Sequence, residues 1–138
     1  MKLFLDANIL FTAAYSKQGI SRALFKLANV GLCSLVTSCY AVDEARRNLH
    51  LKAPAVLTVF DELIRQLVLV REPSTALIAM MLALPLIEKD APIMAAAVEA
   101  KADILVTGDR KDFGHLFGQT VEGVLVLPPS DTLERLLV

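Results

Sequence analysis

Little in this 138-residue sequence is aromatic, sulphur-bearing or biased toward one charge. Its two cysteines, Cys33 and Cys39, form neither a CxxC pair nor a metal-ligand spacing, so they are expected as reduced thiols. No His/Cys pattern supports a zinc site, and His50 and His115 are expected to pack or to face solvent. The formal charge of −1 excludes a broadly basic coat for nucleic acid, while a local basic patch beside an acidic pocket stays compatible with it. No uninterrupted apolar stretch reaches the roughly 20 residues that span a bilayer. The opening apolar segment is broken by Asp6 and Asn8 and reads as a strand, not an export signal, so a cytoplasmic location with no membrane partner is expected. Repeats, low-complexity runs and linkers are missing too, and the length suits one domain over residues 1–138.

What is there is aliphatic. Hydrophobic residues make up 55% of the chain, mostly Leu, Val and Ala, which favours a buried α/β core over disorder. The chain opens on an apolar run of strand length with no polar alternation, ending at Asp6, as suits a strand covered on both faces. Ile20, Ala23, Leu24, Leu27 and Ala28 recur at helical spacing before Gly31, a stop signal. Residues 34–37 read as a second strand, and Val42, Ala45 and Leu49 mark the inner face of a helix with Glu44 on its flank. From Pro54, helical spacing continues through Val56, Val59, Phe60, Leu63 and Leu67, and residues 67–70 read as a third strand. Ser74 or Thr75 caps a helix whose Leu77, Met80, Met81 and Leu84 are expected to pack inward before Pro85. Another helix starts near Asp90 with Pro92 in its first turn. Residues 102–107 and 124–127 read as strands four and five, residues 109–123 as a mobile loop, and a short helix from about Asp131 closes the chain. Strands alternating with helices imply an α/β fold with a mostly parallel sheet.

Four carboxylates fall at element ends or flanks: Asp6 after the first strand, Glu44 on a helix flank, Asp90 at a helix start and Asp109 after the fourth strand. Each has a bland explanation as a turn, surface or capping residue. Ligands in open α/β sheets gather beyond the carboxyl ends of strands, which makes Asp6 and Asp109 the stronger pair. Two unit charges at about 4 Å repel by roughly 1 to 4 kcal/mol at water-like to surface-like dielectric, so clustered acids need a compensating cation. Carboxylate oxygens and water suit Mg²⁺ or Mn²⁺.

The stretches Leu3-Phe4-Leu5-Asp6-Ala7-Asn8, Val42-Asp43-Glu44, Lys89-Asp90-Ala91-Pro92 and Val106-Thr107-Gly108-Asp109, followed by Asp112-Phe113-Gly114, resemble in order the motifs of PIN-domain ribonucleases. The resemblance implies a three-layer α/β/α sandwich with a parallel five-stranded sheet in order 3-2-1-4-5. It implies that Asp6, Glu44, Asp90 and Asp109 hold one or two Mg²⁺ or Mn²⁺ ions for hydrolysis of RNA. Asn8 and Thr107 match positions that orient Asp6, the metal water or the phosphate, and Asp112 is a candidate auxiliary acid. Arg46, Arg47, Lys89, Arg110 and Lys111 flank the acids and are candidate guides for phosphates. Asp103 is expected to be structural. Within the resemblance the closest setting is the toxin of a VapC-type toxin–antitoxin pair, with a small antitoxin partner and a homodimer, for which the apolar residues around Phe60, Leu63 and Met80 are candidate surface, burial in their own core explaining them equally well. Two other readings compete. Gly108-Asp109-Arg110-Lys111-Asp112 fits the Gly-Asp-x-x-Asp of haloacid-dehalogenase-like phosphatases, although position 8 is Asn where those enzymes carry a second Asp. The third reading is a non-catalytic PIN-like module that binds RNA or protein.

Overall fold

Leu3, Phe4 and Leu5 are wholly buried in β1 (Lys2–Leu5), the strand around which the sheet is built. In the computed structural model, which describes residues 1–86 and 88–138, β1 pairs in parallel on both sides. Phe4 lies opposite Val36 of β2 (Ser34–Ser38) on one side and Leu105 of β4 (Ile104–Val106) on the other. β3 (Val68–Val70) adds to β2, and β6 (Val124–Leu127) adds to β4, both in parallel. These five strands follow the expected order. Among the described residues a sixth, β5 (Thr120–Val121), is antiparallel to β6 and makes the order β3-β2-β1-β4-β6-β5.

Helices cover both faces. α1 (Ala7–Tyr15) packs on α2 (Ile20–Asn29), α3 (Cys39–Lys52) and α4 (Leu57–Ile64), and α8 (Pro129–Leu137) packs on α2. α5 (Thr75–Leu82) and α6 (Ala91–Glu99) pack on each other, in the connection that returns from edge strand β3 to β4. A right-handed crossover requires that return to run over the opposite face, giving the three-layer sandwich. Gly31 does end α2: its φ is +83°, and Leu32 N–H donates to Leu27 C=O as Gly31 N–H donates to Ala28 C=O.

Several sequence expectations need correction. α1 was hidden because the apolar run continues from strand into helix without a break, and only Asp6 as its cap marks the join. α4 ends at Ile64, so Leu67 belongs to the turn before β3. Met80 is 54% exposed because α5 is apolar on every side and turns only Met81 fully inward. Phe60 and Leu63 are core residues, which removes them from any interaction surface. Residues 109–123 are not a loop: they form α7 (Arg110–Phe113), a 3-10 turn at Gly114–Leu116, and β5. α8 starts two residues before Asp131, with Pro129 in its first turn. Cys33 is buried, Cys39 exposed, and both are free thiols; His50 and His115 are exposed. Asp103 is indeed structural, its Oδ2 accepting Lys2 N–H at 2.7 Å.

Candidate metal centre

Parallel pairing sets the carboxyl ends of β1 and β4 side by side, with Leu5 opposite Val106. The residues that follow them, Asp6 and Thr107, therefore meet. Thr107 Oγ1 donates to Asp6 Oδ2 at 2.8 Å and accepts from Asn8 Nδ2 at 3.3 Å and from Asp109 N–H at 3.2 Å. That uses the hydroxyl's one donor and both acceptor sites. Asn8 also donates to Asp6 Oδ2 at 3.0 Å and accepts from Gly108 N–H at 2.8 Å, so one amide stitches the two strand ends together. Asp6 caps α1 through Ala7 N–H at 2.7 Å, and Asp109 caps α7 through Asp112 N–H at 2.9 Å.

Asp90 is different. It occupies the cap position of α6, yet its side chain makes no cap bond, and Oδ2 is buried without any hydrogen-bond partner. The capping explanation therefore fails for this residue. A buried carboxylate oxygen without a partner is costly unless a ligand meets it. Asp90, Asp109 and Asp112 each bring an oxygen to within 4.8 Å of the other two. Asp6 and Glu44 are not part of this tight trio, but they share its field. Burial first, then the charges of Asp6 and Asp112, with Asp109 adding, raise the Asp90 carboxyl to about 7 against a smaller opposing effect of Lys89. Burial raises Asp6 to about 6, with the charges of Glu44 and Asp109 adding and the bonds from Thr107 and Ala7 opposing.

The acids face the edge where α1, α3, α6 and α7 begin, and the positive ends of helix dipoles there offset part of their charge. Carboxylate oxygens close together, one of them orphaned, fit a hard divalent cation, and among the described residues no His or Cys joins the group. A groove of about 440 Å³ opens from Asn8, Gly108 and Asp109 along α1 toward Thr12 and Ile20. Of the candidate cations, Arg47, Lys89, Arg110 and Lys111 are exposed, Arg110 lying 5.9 Å from the Phe117 ring. Arg46 is engaged elsewhere, 2.6 Å from Asp61 and 5.0 Å over the Phe60 ring, so it braces α3 against α4. Tyr40, whose hydroxyl donates to Lys89 C=O at 2.9 Å, is marked in the sequence by its place one turn before Glu44 alone.

An α/β sandwich with acids gathered beyond the carboxyl ends of its central strands places a candidate ligand site where the winding of the sheet reverses. The chain belongs to the PIN-domain family, whose model matches residues 2–111. No curated protein matches the sequence. Among solved structures, the chain resembles one from VapBC2 of Rickettsia felis bound to a DNA fragment from its promoter, at 15% identity and a TM-score of 0.69 over 93% of this chain and 98% of that one. It also resembles a chain of FitAcB from Neisseria gonorrhoeae, with 18% identity, a TM-score of 0.58 and coverage of 93% and 98%. A chain of FitAB bound to the IR36 DNA fragment matches at 18% identity, with a TM-score of 0.56 and coverage of 92% and 94%. At these identities the likeness is one of fold. Among the described residues, no helix is long and apolar enough to cross a membrane.

Proposed function

We propose that this chain is a metal-dependent endoribonuclease that hydrolyses phosphodiester bonds in single-stranded or looped RNA, leaving 5′-phosphate and 3′-hydroxyl ends. The observation that carries the reading is the orphaned, buried Oδ2 of Asp90 beside the carboxylates of Asp109 and Asp112. When bound, Mg²⁺ or Mn²⁺ supplies a water of lowered pKa and neutralises charge on a phosphoryl oxygen. Asp90, Asp109 and Asp112 would hold the ion together with Asp6, and Glu44 adds negative charge from α3. Thr107 and Asn8 fix the orientation of Asp6. The exposed Arg47, Lys89, Arg110 and Lys111 guide RNA phosphates toward the acids. An accessible backbone is required because the hollow lies at the protein surface, with a groove leading from it.

The biological setting that fits best is the toxin of a VapC-type pair in the cytoplasm, restrained by a small antitoxin. The family and the VapBC2 and FitAB relatives support that setting. A homodimer is part of the same proposal, and the exposed Val68, Leu69, Met80 and Leu82 supply apolar surface for it. The test is incubation of end-labelled RNA with Mn²⁺, with an Asp6→Asn variant alongside. Metal-dependent cleavage by the wild type and its loss in the variant are expected. RNA bound but uncut would identify a binding module instead, and phosphate released from small phosphomonoesters with RNA intact would revive the phosphatase reading.

A further inference from the structure

The acids of the hollow are held by different means. Asp6 and Asp109 cap helices and share the Thr107 hydroxyl, directly for Asp6 and through the backbone N–H of Asp109. Asp112 lies one turn into the helix that Asp109 caps. Among the described residues, Asp90 has no comparable tether on its side chain. It ends a single 3-10 turn, Glu88–Asp90, that runs directly into α6, so its backbone is held by the buried start of that helix on one side and by the short turn on the other.

Among the described residues, one side-chain hydrogen bond from another element reaches this turn. Tyr40, the second residue of α3, donates its hydroxyl to the carbonyl of Lys89, the residue immediately before Asp90. The same helix carries Glu44 one turn further on. The phenol ring is half-buried and lies with Pro92 and Lys89 in the crevice between α3 and α5, so its aim is limited by packing. α3 is itself firmly placed, with Ser38 capping it and Ala41, Val42, Ala45 and Leu49 buried against the core. A rigid helix thus holds the backbone of a short turn through one hydrogen bond.

We infer that Tyr40 is a positioning residue that sets Asp90 for metal binding by fixing the Lys89 carbonyl, and so couples the placement of Asp90 to the helix that bears Glu44. The inference rests on the reading of the hollow as a metal site. Lys89 is exposed, so its carbonyl is rehydrated when the phenol is removed, and the fold does not depend on the bond. The consequence appears in ion affinity.

The experiment is titration of Mn²⁺ into the wild type, Tyr40→Phe, Asp90→Asn and the double variant by calorimetry, with thermal midpoints recorded for each. Tyr40→Phe is expected to bind Mn²⁺ about 10-fold more weakly, in the range for groups that orient metal ligands, with an unchanged midpoint. In the Asp90→Asn background the same substitution is expected to change affinity less than twofold, because its effect passes through Asp90. Equal Mn²⁺ affinity in wild type and Tyr40→Phe would overturn the inference and leave the metal site standing. An equal further loss in the Asp90→Asn background would overturn it as well, showing that Tyr40 acts on the fold at large. Absence of Mn²⁺ binding by the wild type would remove the metal site and the inference together.

Discussion

Thr107 shows how much of the centre depends on groups that carry no charge. It is fully buried, donates a hydrogen bond to Asp6 and accepts from the N–H groups of the Asn8 side chain and the Asp109 backbone. Valine has the same shape and none of these bonds, so Thr107→Val leaves Asp6 with Asn8 as its one remaining side-chain donor. Removing a partner that orients a metal ligand lowers metal affinity by roughly 10- to 100-fold, and this loss is expected for Mn²⁺ binding measured by calorimetry. An affinity within twofold of the wild type would show that Asp6 needs no such support. The sequence made Asp6 visible because an acid directly after a buried strand marks a ligand position in this architecture, whereas Thr107 was reached through the resemblance to PIN-domain ribonucleases. The sequence could not distinguish Asp90 from an ordinary helix cap, since that depends on where the carboxyl points and on what surrounds it.

At the scale of elements, legibility followed contrast. β1, α2 and α3 were readable because their apolar residues stand against polar neighbours or end at a clear stop. α1 and α5 were blurred because apolar residues run past their edges or surround them. The hairpin β5–β6 was missed for another reason. Its two turn residues, Glu122 at φ +48° and Gly123 at φ +88°, both lie in the left-handed region, as a two-residue hairpin turn of the favoured type requires. Asn-Gly or Asp-Gly would have announced such a turn, whereas Glu-Gly does not. A left-handed conformation costs a residue with a Cβ roughly 1–2 kcal/mol, partly offset in glycine by unfolded-state entropy. Glu122→Gly is therefore expected to raise the thermal midpoint by about 1–4 °C, read by calorimetric unfolding. A fall in the midpoint would mean that the Glu122 side chain contributes more than its backbone conformation costs.

The charge gathered in the hollow makes the stability of the whole molecule depend on pH and on ions. In an unfolded chain the Asp6 and Asp90 carboxyls titrate near 4, whereas in the ion-free fold they titrate at about 6 and about 7. Between those values the folded protein binds more protons than the unfolded one, so its stability declines as pH rises from about 4 and levels off above about 7. Below pH 4 these two groups impose no penalty; above 7 both are ionised and crowded. The midpoint measured in EDTA is thus expected to fall across this window. Asp90→Asn removes the larger of the two shifts, which flattens the fall and stabilises the ion-free protein at pH 8 by roughly 1–2 kcal/mol. Mn²⁺ acts in the opposite sense, since it binds the ionised acids, releases their residual protons and stabilises the wild type more at pH 8 than at pH 5. The check is a set of unfolding scans from pH 4 to pH 8 on both proteins, with EDTA and with Mn²⁺. A wild-type midpoint that rises from pH 5 to pH 7.5 in EDTA would show that these carboxyls are neither buried nor crowded as placed, and would remove the physical reason for a cation at their centre.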